Sequence, residues 1–112
     1  VEGVGGWLVP LNERETVADL AVRLRLPVVL VVGLRLGCLN HAQLTVASMR
    51  GCGVPIAGWV ANPIDRDFAL PDENLAALES RLDIPLLLRL PFYECEPTPA
   101  DLLSRFTDWV PT

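Results

Sequence analysis

The sequence lacks the features that mark several common classes of protein. None of its apolar runs reaches the roughly 18 residues that a membrane-spanning helix needs. The basic residues are scattered and the net charge is −5, so the sequence lacks the cluster of positive charge that binding to nucleic-acid phosphates requires. The three cysteines match neither a zinc site nor a C-x-x-C redox motif, and we find no export signal in the first residues. We therefore expect a cytoplasmic protein that binds neither membrane nor nucleic acid.

The composition is that of a globular domain. Hydrophobic residues make up 51% of the 112 residues and charged residues 21%, which is too apolar and too weakly charged for intrinsic disorder. No low-complexity linker interrupts the chain, so we expect residues 1–112 to form a single domain. The chain has no initiator methionine, and Val1 leads at once into a glycine-rich turn. We expect it to be a fragment of a longer protein.

Apolar periodicity predicts helices and strands in alternation. The predicted helices begin at residues 16, 40, 71 and 99, and the predicted strands span residues 28–32, 56–61 and 85–90. The first of these strands is an unbroken β-branched and apolar run, which we expect at the centre of the sheet. Strands separated by helices are typical of βαβ units with a parallel sheet. The predicted fold class is α/β.

In parallel sheets ligands bind beyond the carboxyl ends of the strands, so the segments that follow strands are the candidate sites. Glu2 and the glycines after it occupy the end of a predicted strand, where a carboxylate can hold Mg²⁺ and glycines let the backbone approach a phosphate. The alternative is an ordinary tight turn. Residues 33–41 join a strand to a helix start, which suits an anion, or form an ordinary loop with Asn40 as the helix cap. Cys38 beside that helix start is either a reactive thiol or a buried, inert one.

Two further segments could contact a nucleotide base. Asn62 places an amide side chain at a strand end, where it can pair with the donor and acceptor edge of a base, or simply starts an Asn-Pro turn with Pro63. Phe92 and Tyr93 follow the third strand, where a purine could pack on them, although packing at the rim of the core explains them equally well.

Taken in order, these segments resemble dethiobiotin synthetase. The resemblance rests on V-E-G-V-G-G-W at residues 1–7, L-P-V-V-L-V-V-G-L-R-L-G-C-L-N-H-A at residues 26–42 and A-G-W-V-A-N at residues 57–62. It extends to about Tyr93 and corresponds to the carboxyl-terminal half of a family member. It implies a three-layer, Rossmann-like P-loop NTPase fold and an ATP- and Mg²⁺-dependent ligase of biotin biosynthesis. Such an enzyme closes the ring of 7,8-diaminopelargonate with CO₂ to give dethiobiotin.

The resemblance also implies roles for individual residues. Glu2 would be a Mg²⁺ ligand, and the substrate carboxylate would bind across a homodimer interface. The residues implied at the nucleotide are Glu2, Gly3, Val4, Gly5, Asn62, Pro63, Pro91, Phe92 and Tyr93. The residues implied at the substrate carboxylate are Gly37, Cys38, Leu39 and Asn40.

The chain departs from the family pattern in two ways. Pro63 follows Asn62 where members usually carry an acidic residue, which puts base selectivity in doubt. No G-x-x-x-x-G-K-[ST] motif is present, so we expect the main catalytic residues in an amino-terminal half that this chain does not contain. The alternatives are a non-catalytic module that dimerises through residues 34–46 and an amidoligase of corrinoid synthesis from the same superfamily.

Overall fold

The computed structural model describes residues 1–3 and 5–106. The elements are α1 (Val17–Leu24), β1 (Val28–Leu34), α2 (Cys38–Gly51), β2 (Ile56–Pro63), α3 (Pro71–Leu82), β3 (Leu86–Arg89) and α4 (Pro99–Phe106). The predicted alternation and the α/β class are confirmed. Residues 107–108, the end of the last predicted helix, lie outside the described residues.

The three strands form one parallel sheet in the order β1-β2-β3. Leu34 pairs with Pro63 at the end of β1, and Ala61 pairs with Arg89 at the end of β3. Because the strands are parallel, their carboxyl ends meet at one edge of the sheet. That edge is where ligands bind in folds of this kind.

Helices α2 and α3 pack against each other and enclose the core with the sheet. Trp59 and Ala61 of β2 are fully buried, and Val32 and Leu34 of β1 lie in the same cluster. The predicted apolar face of α3 is confirmed, since Leu75, Leu78 and Leu82 are its buried residues. Among the residues that the structure describes, no helix is both long and apolar enough to cross a membrane.

The prediction that the first strand lies at the centre of the sheet is wrong for the described residues. β2 occupies the centre and β1 lies at an edge. Burial alternates along β1, with Val32 6% exposed and its neighbour Val31 59% exposed. An unbroken apolar run indicates a strand that is apolar on both faces, but it does not say whether both edges are paired. In the described sheet one edge and part of one face of β1 remain open.

One local prediction is also wrong. Asn40 does not cap α2, because Gly37 is the N-cap residue and the helix begins at Cys38. Gly37 has a φ of +92°, which glycine adopts without strain, so the chain turns into the helix three residues earlier than an Asn40 cap would require. Residues 1–3 have no regular secondary structure, and the position of Glu2 at the end of a strand stays a prediction.

Candidate functional site

A cavity of about 250 Å³ lies at the carboxyl ends of the strands. The N–H of Leu90 donates a hydrogen bond of 2.9 Å to the carbonyl oxygen of Ala61. This bond keeps the chain leaving β3 alongside β2, so Pro91 and Phe92 line the cavity together with Pro63. Three of the residues predicted to bind the nucleotide therefore come together in one cavity.

Two other predicted base contacts do not line this cavity. Asn62 is half-buried and pairs with Gly33 of β1, and Tyr93 is also half-buried. Successive side chains on a strand point to opposite faces, so Asn62 lies on the face of the sheet opposite Pro63. The roles of Asn62 and Tyr93 at the base stay predictions.

The cavity lining also includes residues that the sequence reasoning missed, among them Arg66, Phe68 and Arg89. Arg66 and Phe68 lie in the connection between β2 and α3, and Arg89 is the last residue of β3. Phe68 also packs against the core, which fixes this wall of the cavity. The sequence could have indicated Arg66 and Phe68 only by their position, since residues 64–70 directly follow the Asn-Pro dipeptide at the end of a strand.

Both cavity arginines are paired with carboxylates. The Nη2 atom of Arg66 lies 2.9 Å from Oε1 of Glu94, and Nη2 of Arg89 lies 2.6 Å from Oδ1 of Asp72. A guanidinium that is already paired offers less attraction to a phosphate than a free one. With Phe68 and Phe92 also lining it, the cavity suits a neutral planar group better than an anion.

The start of α2 is a second candidate site at the same edge of the sheet. The N–H of Cys38 donates 3.1 Å to the carbonyl oxygen of Arg35, and the N–H groups of Leu39 and Asn40 have no partner within the helix because they belong to its first turn. Asn40 is exposed and Leu39 is half-buried. These two N–H groups and the positive end of the helix dipole suit a carboxylate. The Cys38 side chain is only 3% exposed and lies in the core, which favours the inert interpretation of this thiol.

The glycine-rich amino-terminal segment lies beside α1 and α2. A Cβ atom at Gly3 would be 3.1 Å from Cγ1 of Val17 in α1, and Nε1 of Trp7 donates a hydrogen bond of 3.0 Å to Oγ of Ser48 in α2. Glu2 is exposed, and Gly5 has a φ of +85°. Val4 lies outside the described residues. No residue of this segment lines the cavity at the strand ends within the part of the chain that the structure describes.

A larger recess of about 420 Å³ lies between α2 and α3. One of its arginines, Arg50, donates hydrogen bonds of 2.8 and 3.1 Å to the carbonyl oxygens of Leu82 and Asp83. Arg50 therefore caps the carboxyl end of α3. The recess contains Asn40 but none of the aromatic residues predicted at a base. The smaller cavity at the strand ends therefore remains the better candidate for a nucleotide base.

A family model described as an AAA domain matches residues 1–95. The chain belongs to this AAA-domain family. It is 52% identical over 111 residues to the ATP-dependent dethiobiotin synthetase BioD of Cellvibrio japonicus, a match that covers 99% of this chain and 48% of that protein. Proteins of the same name from Pseudomonas aeruginosa strain UCBPP-PA14 and Nitrosospira multiformis are each 56% identical, over 105 and 92 residues. These matches cover 94% and 82% of this chain, and 46% and 41% of the relatives.

This AAA-domain chain spans about half the length of the curated relatives it matches. The resemblance to dethiobiotin synthetase that the residues predict is confirmed, and so is the kind of fold that it implies. The assignment of individual residues to nucleotide, metal and substrate stays a prediction.

The metal-ligating side chains of the AAA-domain chain fit a Mg²⁺ ion that is bound together with a nucleotide better than a metal ion that only protein side chains hold. Among residues 1–3 and 5–106, no three His, Cys, Asp or Glu side chains lie close enough together to hold a metal ion. Mg²⁺ in nucleotide-dependent enzymes commonly takes one or two carboxylates and completes its shell with waters and phosphate oxygens. The exposed carboxylate of Glu2 is a donor of the required kind.

Proposed function

We propose that this chain is the carboxyl-terminal part of an ATP-dependent dethiobiotin synthetase, a cytoplasmic ligase of biotin biosynthesis. Its reaction joins 7,8-diaminopelargonate and CO₂ in a closed ring to give dethiobiotin. The observation that carries this proposal is the 52% identity along 99% of the chain to a relative of that name. We further propose that residues 1–112 belong to one domain with the amino-terminal part that supplies the P-loop.

The base of ATP binds in the cavity at the strand ends, beside Pro63, Pro91 and Phe92. The size of the cavity supports this assignment, because about 250 Å³ is below the roughly 300–1,000 Å³ of pockets that enclose drug-sized ligands. It has room for a base but not for a whole nucleotide. Asn62 and Tyr93 adjoin the lining residues along the chain, and the proposal assigns both to the rim of the base site, with Asn62 at the end of β2 on the face opposite Pro63.

The phosphates and Mg²⁺ bind at the amino-terminal segment. Glu2 holds the metal, while Gly3, Val4 and Gly5 leave the backbone free to approach phosphate oxygens. ATP supplies the activation that lets a carboxyl carbon be attacked by an amine. All nine basic residues of this chain are arginines, so the P-loop lysine of such an enzyme must come from the other part of the protein.

The carboxylate of 7,8-diaminopelargonate binds at the start of α2 of a second subunit in a homodimer, at residues 37–40. The free N–H groups of the first helical turn support the anion site. Two exposed leucines near this site support the interface, since Leu36 is 89% exposed and Leu44 is 61% exposed. Large apolar side chains that are exposed on a surface favour a contact with another protein surface.

The proposal is tested with Glu2→Gln in the full-length enzyme. Glutamine keeps the size of the side chain but removes the charge that Mg²⁺ requires. We expect dethiobiotin formation to fall by about 100-fold or more, as on removal of a group that stabilises charge in the transition state. Glu13→Gln is the matched control, because Glu13 is also an exposed carboxylate and lies in the turn before α1.

The activity of the unaltered enzyme tests the proposed reaction, and the activity of Glu2→Gln tests the assignment of Glu2 to the metal. If the unaltered enzyme forms no dethiobiotin from 7,8-diaminopelargonate, CO₂ and ATP, the proposed reaction is refuted. If the enzyme is active and Glu2→Gln remains near its full rate, the reaction stands and the assignment of Glu2 to the metal is refuted. Circular dichroism of both variants checks that the fold is retained.

A further inference from the structure

We propose that Arg66 and Glu94 form a positioning pair that holds together the two walls of the cavity at the strand ends. This inference rests on the proposed function, since it assigns the pair a role in binding the base of the nucleotide. Neither residue belongs to the segments that resemble dethiobiotin synthetase most specifically, at residues 1–7, 26–42 and 57–62.

The cavity has two walls that come from separate connections of the fold. One wall is the connection between β2 and α3, which contributes Arg66 and Phe68. The other is the chain that leaves β3, which contributes Pro91 and Phe92. The whole of α3 and β3 lies between these two connections in the sequence, so their spacing depends on tertiary contacts.

The two walls are anchored to different degrees. Phe68 packs against the buried core, which holds the first wall in place. The second wall is tied to β2 by the hydrogen bond from Leu90 to Ala61, but two residues further along the side chain of Phe92 is 40% exposed. The aromatic ring that would cover a bound base therefore belongs to the less anchored wall.

The Arg66–Glu94 ion pair connects the two walls of the cavity beyond Phe92. Arg66 lines the cavity, and Glu94 follows Phe92 by two residues. Both side chains are 71% exposed, so the pair lies at the solvent boundary of the cavity rather than inside it. An ion pair at this position restrains Phe92 without occupying the space that a base needs.

The exposure of the pair sets the size of the expected effect. Exposed ion pairs contribute little to stability because water and salt screen them, so breaking this one should weaken base binding by only about 2- to 5-fold. The pair is a restraint on the wall and not a permanent closure.

The test is a charge-swap cycle in the full-length enzyme, with Arg66→Glu, Glu94→Arg and the double swap. The probe is adenosine, measured as a competitive inhibitor against ATP. Adenosine carries no phosphate, so a change of charge in the protein does not act on the probe through phosphate electrostatics. We expect each single variant to raise the inhibition constant by about 2- to 5-fold and the double swap to restore it.

Further readouts distinguish this role from a general loss of stability. We expect the single variants to raise KM for ATP while kcat and the unfolding temperature stay unchanged, because the pair is far too exposed to support the core. Arg23→Glu is the control, since the exposed Arg23 forms an ion pair with the half-buried Glu15 of the connection before α1, away from the cavity lining. This variant should leave the inhibition constant of adenosine as it is.

Each remaining outcome decides against the proposal. If single variants bind adenosine as the unaltered enzyme does, or if the double swap fails to restore binding, the positioning role is overturned while the proposed function stands. If the unaltered enzyme binds neither ATP nor adenosine, the proposed function fails and the positioning pair fails with it.

Discussion

Replacement of Gly58 by alanine should be one of the most damaging single changes in this protein. Gly58 has a φ of +152°, a conformation that side chains rarely tolerate. It lies at an irregularity of β2, where Val28 of β1 pairs with Ile56 but Val29 pairs with Gly58, so one residue of β2 is skipped. A Cβ atom added at Gly58 would lie 2.6 Å from the carbonyl oxygen of Pro85.

The cost of this substitution has two sources. The carbonyl oxygen of Pro85 cannot move aside freely, because it accepts a hydrogen bond of 2.9 Å from the N–H of Trp59. Overpacking a filled site costs about 1–3 kcal/mol, and strain in a disfavoured backbone conformation costs about as much again. The total of roughly 2–6 kcal/mol is a large part of the about 5–15 kcal/mol that stabilises a typical domain.

The assay is urea unfolding of the full-length enzyme followed by far-ultraviolet circular dichroism. Gly51→Ala is the matched control, since a Cβ atom at Gly51 meets none of the described residues within 4 Å. The same change there should stabilise the chain by about 0.4–1 kcal/mol, because alanine restricts the unfolded state more than glycine does. An unfolding midpoint for Gly58→Ala at or above that of the unaltered chain would refute the reasoning.

Two further predictions concern hydrogen bonding. Asp19 accepts hydrogen bonds from the N–H and the hydroxyl of Thr16, at 2.7 and 2.9 Å, which hold the pKa of its carboxyl group below the ordinary value of 3.8. The stability that these hydrogen bonds contribute is present above the ordinary pKa and is lost as the pH falls through the lowered pKa. Asp19→Asn should therefore remove this pH-dependent part of the stability from thermal unfolding profiles recorded between about pH 6 and about pH 2. A variant whose unfolding temperature depends on pH as that of the unaltered protein does would contradict the prediction. Nε1 of the fully buried Trp59 has no hydrogen-bond partner among the described residues. Trp59→Phe removes this unsatisfied donor, so it should lower the free energy of unfolding by less than the about 3–5 kcal/mol expected for Trp59→Ala. Equal shifts of the urea midpoint for the two Trp59 variants would argue against that explanation.

The order of the elements could be predicted from the sequence because it depends on local patterns. The spacing of Leu75, Leu78 and Leu82 repeats with the helical period, and all three side chains are buried in the structure. The position of β1 could not be predicted in the same way. Val29 and Val31 are as apolar as the buried Val32, and only the pairing of strands distant in the chain decides which face and which edge are covered.

The candidate site was predictable to a lesser extent. The rule that ligands bind beyond strand ends pointed to the segments that contain Pro63, Pro91 and Phe92, and all three line the same cavity. The rule did not separate Asn62 from its neighbour Pro63, because the face on which each residue lies depends on the register of the strand. It also did not indicate Arg66, since isolated arginines in connections usually serve only as solvated surface.

The sequence by itself determined that this is an α/β chain, and its three resembling stretches pointed to dethiobiotin synthetases. Both conclusions follow from information that is local, namely the period of apolar residues and the identity of residues in short runs. Only the tertiary structure decided that β2 is central, that Asn62 and Pro63 lie on opposite faces, and that Arg66 reaches Glu94. Contacts of this kind join segments far apart in the chain, and they depend on strand register and helix packing, which no single stretch of sequence specifies.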